Sequence, residues 1–279
     1  MRDAYDRGMN EFSRTLIERS GYQDDSFTDV YDRSRPAPPP ALLEILAFIA
    51  QVERPRLVVD LGAGTGLSTR AWAERADRVI GVEANEHMVE RARRATAQPN
   101  VGYVNAYAAE TGLADGGADV VGCSQAFHWM EPGPVLAEAA RLLRPGGVFA
   151  AYDYDVPPLI HPEVDAAFEA HFEARRSARE RLGLEPGAIR WPKSGHLERI
   201  RESGRFRFAR EVLCHGFAEA NSDRIAGLAE SLGGPRGIFA DAGREVDATF
   251  ADLRRTAERV IGNRPTTILV SYRIRFGVK

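Results

Sequence analysis

From Pro40 onward the chain switches repeatedly between two hydrophobic rhythms. Leu42, Leu43, Ile45, Leu46, Phe48, Ile49 and Val52 fall at helical spacing, and the preceding prolines suit a helix start, so a helix is predicted from Pro40. Short, nearly continuous apolar runs follow, separated by polar helical stretches. They predict strand 57–61, helix 67–76, strand 79–83, helix 86–96, strands 101–105 and 118–124, helix 133–143 and strand 148–154. Val58, Val59, Val79, Ile80, Val82, Val120, Val121, Val148 and Phe149 lie in these runs, as in strands buried on both faces of a parallel sheet. Such alternation is that of a doubly wound α/β core.

Past Asp155 the rhythm changes. Val164, Phe168 and Phe172 recur every fourth residue among Ala, Glu and Arg, predicting one long amphipathic helix over 163–182. Near the C-terminus Ile268, Val270, Tyr272, Ile274 and Phe276 alternate with Leu269, Ser271, Arg273 and Arg275, and "RFRF" at 205–208 alternates too. That period of two fits half-buried antiparallel strands added at one edge of the parallel sheet. Between them Val246, Phe250, Leu253, Ala257 and Val260 line one face of a helix. Residues 1–35 carry no sustained period, and "RPAPPP" closes them as a stiff extended segment. The expected organisation is a single domain over 1–279: an N-terminal arm or lid at 1–39, a core at 40–155, an inserted helical cover at 156–204, and C-terminal strands and helices at 205–279 that complete the sheet.

Composition narrows the function classes. The 279 residues carry a formal net charge of −3, so no overall positive field draws the chain to nucleic acid or anionic lipid. Cys123 and Cys214 are far apart and without metal spacing, which suggests buried thiols in a reducing compartment. His161 and His171 lack helical metal spacing and a third ligand, so no metal is expected. No signal-peptide pattern and no membrane-length apolar run is present, and a cytoplasmic location is expected.

The candidate chemistry starts at "VVDLGAGTGLSTR", residues 58–70, an apolar run ending in Asp60 and then three glycines. A strand, a glycine turn and a helix leave backbone N–H groups free to face a ligand. The dinucleotide pattern would need glycine at 67, where Leu67 stands, and no Lys-Ser or Lys-Thr pair follows as in a P-loop. Gly62, Gly64 and Gly66 therefore approach a compact ligand that is not strongly anionic. Glu83 ends the second strand, one βαβ unit after the glycines, where a carboxylate can accept from both hydroxyls of a ribose.

"VVDLGAGTG", "VIGVEANEHM", "YAAETGLADGGADVV", "AFHWM" and "LLRPGGVFAAYDYD" occur in this order, and together they resemble a class I S-adenosylmethionine-dependent methyltransferase. The nearest branch in pattern is similar to the trans-aconitate methyltransferases, which act on small molecules. The resemblance spans 31–154 and implies a mostly parallel seven-stranded Rossmann-like sheet with an antiparallel C-terminal edge. It also implies S-adenosylmethionine as cofactor and a small-molecule acceptor, and it leaves the oligomeric state open. By the same resemblance, Gly62 and Gly64 lie against the methionyl part and ribose, with Asp60 ordering the turn. Glu83 binds the ribose diol, and Ala84 and Met88 flank the adenine. Ala109 and Glu110 meet the adenine edge, Ser124 and Gln125 pass the sulfonium, and Tyr31 and Arg35 fold over the cofactor carboxylate. Where relatives read R-P-x-Y-P, this chain has Pro38 in place of the tyrosine.

A methyl sulfonium carries its own leaving group, so the protein mainly aligns the acceptor and excludes water. A base is needed only for an acceptor that must lose a proton. His128 is the candidate catalytic residue, as a base or as a donor that orients the acceptor; a loop histidine satisfied by backbone is the third reading. Trp129 is expected to shape the pocket. Tyr152 and Tyr154 alternate with Asp153 and Asp155, so one pair faces the crevice and the other faces away. Trp191, His161 and His196 belong to the expected cover, where packing outweighs acceptor contact, and 156–204 with 233–243 would line the acceptor pocket. A regulator that binds the cofactor without transfer, or a non-methylating enzyme on the same fold, are the alternatives.

Overall fold

A computed structural model describes residues 25–183, 191–232 and 243–279. The described residues divide into two compact units, one of residues 37–154, 191–216 and 271–279, the other of residues 25–36, 155–183, 217–232 and 243–270.

The first unit holds the parallel core. Its first helix, α2, is Pro40–Ile49 and starts on proline as the sequence predicts; α1 (Asp25–Ser34) precedes it in the other unit. Then come β1 (Leu57–Leu61), α3 (Leu67–Ala71), β2 (Arg78–Glu83), α4 (Glu86–Ala95), β3 (Val101–Asn105), β4 (Ala118–Ser124), α5 (Pro132–Leu142) and β5 (Leu143–Tyr154). Later elements are α6 (Pro162–Arg181), α7 (His196–Glu202), β6 (Phe208–Ala220), α8 (Ser222–Leu232), α9 (Gly243–Val260) and β7 (Thr266–Val278). One seven-stranded sheet has the order β3-β2-β1-β4-β5-β7-β6. β1 pairs in parallel with β2 and β4, β2 with β3, and β4 with β5, whereas β5 and β7 run antiparallel. This is the α/β fold with a mostly parallel sheet and an antiparallel C-terminal edge that the sequence patterns imply.

The connections reverse direction between β1 and β4. Strand ends diverge at such a switch point, leaving a crevice at the carboxyl edge where open α/β sheets bind ligands. Beneath it the core packs Val59, Leu61, Val82, Val121, Phe149 and Ala151 from the strands against Phe127, Leu136 and Leu142, all buried. At the opposite end Asp119 accepts from the Arg56 N–H at 2.7 Å and from Arg144 Nε at 2.5 Å, fixing the starts of β1 and β5 to β4.

The main departures from expectation lie at β5, α3, β6 and α1. β5 starts at Leu143 rather than 148, because the strand continues through "RPGG" with a register shift opposite Ala118/Val120 and Gly146 at φ +78°. α3 ends at Ala71 and passes into a turn. The alternation at 205–208 marks only the approach to β6, a thirteen-residue strand. α1 emerges where no period was visible.

In the second unit α6 and α9 pack together and α8 packs on α1 and α9. A Cβ on Gly227 of α8 would strike the Ser34 side chain, so glycine is what lets α1 approach so closely. His171 sits between Phe172 and Phe250 and lies 3.2 Å from Thr249 Oγ1; burial pushes its imidazole down to about 4. The segment 156–204, expected as one insertion, contributes to both units: 155–183 belongs with α1, α8 and α9, and 191–204 with the parallel core.

Candidate cofactor and acceptor site

The turn after β1 is built for close approach. Gly62, Gly64 and Gly66 all have positive φ, at +70°, +56° and +84°, where a side chain is strained. Their surroundings differ. A Cβ on Gly62 would come within 2.6 Å of both Ala126 Cβ and Met130 Cε, while one on Gly64 would meet only Met88 Cε at 3.8 Å. Gly62 is thus required by packing, and Gly64 keeps open the space that a ligand would fill. Gly66 begins α3 beneath the Tyr103 ring.

Glu83 closes this turn from β2. Its carboxylate accepts from the Gly64 N–H at 2.9 Å through one oxygen and from the Asn85 N–H at 2.9 Å through the other. Each oxygen retains a second lone pair. Burial raises its pKa against these amide bonds, which lower it. Asp60, at the end of β1, is buried and accepts from Thr69 Oγ1 at 2.7 Å through Oδ2, while Oδ1 has no hydrogen-bond partner. Desolvation pushes its carboxyl up to about 7, with the neighbouring Glu83 charge adding to the rise. An orphaned buried carboxylate oxygen beside an open glycine face fits a ligand that brings hydroxyl or ammonium donors.

Of the other predicted cofactor residues, Met88 is buried at the start of α4, and Ala84 precedes its Asn85 cap, which accepts from the Met88 N–H at 3.4 Å. Ala109 is half-buried and Glu110 exposed, in a turn closed by the Glu110 N–H donating to Tyr107 O at 3.0 Å. Ser124 and Gln125 end β4, and Gln125 adopts φ +52°, a left-handed backbone rare outside glycine that marks a constrained strand exit. Tyr31 and Arg35 lie in the second unit, where Arg35 donates to Ser231 Oγ at 3.0 Å and Ser231 O at 2.9 Å at the end of α8 and its guanidinium covers the Tyr31 ring.

A second cluster forms at the ends of β4 and β5. The alternation in "YDYD" resolves with Asp153 toward His128. Tyr152 and Tyr154, expected as acceptor contacts, instead pack in the core. Tyr152 is fully buried with its hydroxyl 2.6 Å from Ser68 Oγ, and Tyr154 is buried edge-on against Tyr272. His128 and Trp129 occupy a 3-10 turn with their rings 5.3 Å apart. The Trp191 N–H donates to His128 O at 2.8 Å, so Trp191 joins this cluster, with its indole N–H buried and without a hydrogen-bond partner. His196 is fully buried against Phe127, which pushes its imidazole down to about 3 and makes it a packing residue.

Sequence reasoning missed the charged part of this cluster. Lys193 Nζ donates to Gln125 Oε1 at 2.6 Å and lies 2.8 Å from Asp153 Oδ1. Arg275 Nη1 lies 3.4 Å from Asp153 Oδ2, and its Nε donates to Glu211 at 2.7 Å. No spacing rule links residues 153, 193, 211 and 275; only the parity of "YDYD" pointed toward one of them. Among the described residues no group of His, Cys, Asp and Glu could hold a metal ion, and no helix is long and apolar enough to cross a membrane.

Residues 59–151, which take in most of β1 to β5 with the strand ends at Asp60, Glu83 and Ser124, match a family described as "Methyltransferase domain". They form a methyltransferase domain of the class I, S-adenosylmethionine-dependent type. The chain is 38% identical over 122 residues to an uncharacterised methyltransferase of Mycobacterium bovis, covering 44% of this chain and 48% of that protein. A demethylmenaquinone methyltransferase of Clavibacter sepedonicus is 32% identical over 119 residues, 42% of this chain and 48% of that one. The chain thus matches about half the length of these curated relatives. A solved methyltransferase structure from Anaeromyxobacter dehalogenans aligns over 88% of this chain and 97% of its own, with TM-score 0.64 and 28% identity.

Proposed function

We propose that this protein transfers a methyl group from S-adenosylmethionine to an oxygen of a small-molecule acceptor, hydroxyl or carboxylate. The observation that carries the reading is the pairing of Glu83 with the Gly64 N–H across a glycine turn whose open face meets nothing nearer than Met88. The bound cofactor supplies an electrophilic methyl on a sulfonium with a good leaving group. The remaining work falls to this chain.

Glu83 accepts the ribose hydroxyls with its two remaining lone pairs, and the amide bonds from Gly64 and Asn85 hold it in place to do so. Gly62 and Gly64 bring backbone against the ribose and methionyl part, Gly66 completes the turn, and Asp60 orders it through Thr69. Ala84 and Met88 flank the adenine, with Ala109 and Glu110 at its edge. Ser124 and Gln125 border the methyl, and His128, Trp129 and Trp191 wall the acceptor side. A pocket of this kind positions reactants and excludes water, which is worth about 7–11 kcal/mol of barrier. The motif likeness to trans-aconitate methyltransferases and the net charge of −3 both favour a small metabolite over a nucleic acid.

The test is transfer of label from methyl-labelled S-adenosylmethionine into a small-metabolite pool, with protein and nucleic-acid fractions counted beside it. Label in the metabolite fraction supports the reading; label only in macromolecules contradicts it.

A further inference from the structure

The end of the sheet away from the glycine turn carries an apolar face that methyl transfer does not use. A groove of about 670 Å³ runs there between the end of α2 and the ends of β6 and β7. Gly146 at the start of β5 and Val278 at the end of antiparallel β7 line it, which fixes its place at the opposite edge from the carboxyl ends of the parallel strands. All of it belongs to the first unit.

Each wall of the groove carries one exposed phenylalanine and one exposed charge. On the helix wall stand Phe48, 82% exposed, and Glu53 in the turn that follows. On the strand wall stand Phe208, 49% exposed with its ring 6.0 Å from that of Phe276, and Arg207. A single exposed apolar residue is ordinary, but two on facing walls of an apolar groove make a contiguous patch rimmed by charge, as interaction surfaces do. Among the described residues Glu53 has no ion pair, and Arg207 Nε donates to Lys279 O at 3.4 Å and to no carboxylate side chain.

The end of α2 adds a second observation. The Gln51 N–H donates to Phe48 O at 3.0 Å and the Val52 N–H to Ala47 O at 3.1 Å, the pair of bonds that closes a helix through a left-handed residue. Glycine is the usual residue there. Here it is Gln51, at φ +58°, exposed and lining the groove, so an amide that can both donate and accept is held on this face against backbone strain.

The distribution of charge selects the occupant. A phenyl with an acid on one wall and a phenyl with a base on the other are complements of each other. A two-fold axis sets the helix wall of each copy against the strand wall of its partner. Phe48 then enters the second copy's groove beside Phe208 and Phe276, Glu53 meets Arg207, and every contact occurs twice. An anionic membrane would answer Arg207 but oppose Glu53, and a small apolar ligand would leave both charges unused. We propose that this face is a self-complementary interface through which two copies of the chain pair, with Phe48 as the knob and the groove as its socket. The glycine turn lies at the other end of the sheet, so pairing neither needs nor blocks it.

Sedimentation equilibrium of the full chain, from low to several hundred micromolar, reads the assembly. The wild type should pass from monomer mass to twice that mass as concentration rises. Phe48→Glu should raise the dissociation constant at least about thirtyfold, as loss of a central aromatic anchor does, with an unchanged melting temperature in dilute samples. Glu53→Arg and Arg207→Glu should each weaken pairing at least about tenfold, because like charges then face each other. An equimolar mixture of those two variants decides the geometry: every arginine of one now meets a glutamate of the other, and heterodimers should form about as tightly as in the wild type. A wild type that stays monomeric throughout overturns the proposal, including where the face takes up an apolar dye or anionic vesicles instead. A dimer that Phe48→Glu leaves intact, or a mixture no heavier than its separate variants, overturns it equally.

Discussion

Two ends of the same sheet edge are built by opposite means. At β1 and β2 the carboxylates of Asp60 and Glu83 are held by a hydroxyl and by backbone amides, with Asp60 Oδ1 left open, and burial lifts both toward neutrality. At β4 and β5 the carboxylate of Asp153 is held by Lys193 and Arg275 beside an imidazole. The first arrangement suits donor-rich, uncharged parts of a cofactor. The second fixes charge and a proton, as a reacting group requires. On the proposed function, binding and chemistry separate across the switch point between β1 and β4, and substitutions at the two ends should fail in different ways.

The largest expected effect is at the reacting end. His128→Ala should lower turnover by about 10²–10⁴-fold with unchanged affinity for S-adenosylhomocysteine, the loss typical of a missing general base. A parallel loss of affinity, measured by calorimetry, would break the division between the two ends.

Glu83→Ala should do the reverse. Two hydrogen bonds to a charged group are worth about 1.5–3 kcal/mol each, so affinity should fall at least a hundredfold while the fold persists. Thermal melts without ligand separate this from unfolding.

The glycines sharpen the contrast within one turn. Gly62→Ala combines positive φ with contacts at 2.6 Å, and should cost about 2–5 kcal/mol of stability in chemical denaturation. Gly64→Ala meets open space and should cost only the backbone strain of about 1–2 kcal/mol, while weakening cofactor binding by filling the cradle. Equal behaviour of the two variants would show that Gly64 faces no ligand.

A pH dependence marks the binding end alone. Asp60 has its folded pKa raised to about 7 from 3.8, so the folded state binds the extra proton between these values. Its contribution to stability is full below the lower value and is lost as pH rises through about 7. Asp60→Asn removes that loss, and its stability relative to wild type should climb between pH 4 and 8 in a denaturation series.

Local sequence was informative where physics is local. The ends of β1 and β4 coincide with the apolar runs at 57–61 and 118–124, because strands buried on both faces need nearly continuous apolar residues. The glycine turn and Glu83 lie one βαβ unit apart and were readable for the same reason. By contrast β6 exposes Phe208, Leu213 and Phe217, so its pattern does not mark a buried face. α1 is polar in composition and owes its place to Gly227, nearly two hundred residues away. Lys193, Glu211 and Arg275 were illegible because their meaning lies in pairing across distant segments. Tyr152 and Tyr154 drew attention by residue type, yet strand parity turned them into the core and turned Asp153 toward His128.

The central claim is that the turn at Gly62–Gly66 and Glu83 form an S-adenosylmethionine site. Its most direct test is calorimetric titration of the full chain with S-adenosylhomocysteine and, separately, with NAD. The account predicts saturable one-site binding of S-adenosylhomocysteine that Glu83→Ala weakens at least about a hundredfold, and no comparable response to NAD. Tight NAD binding with no response to S-adenosylhomocysteine would contradict it.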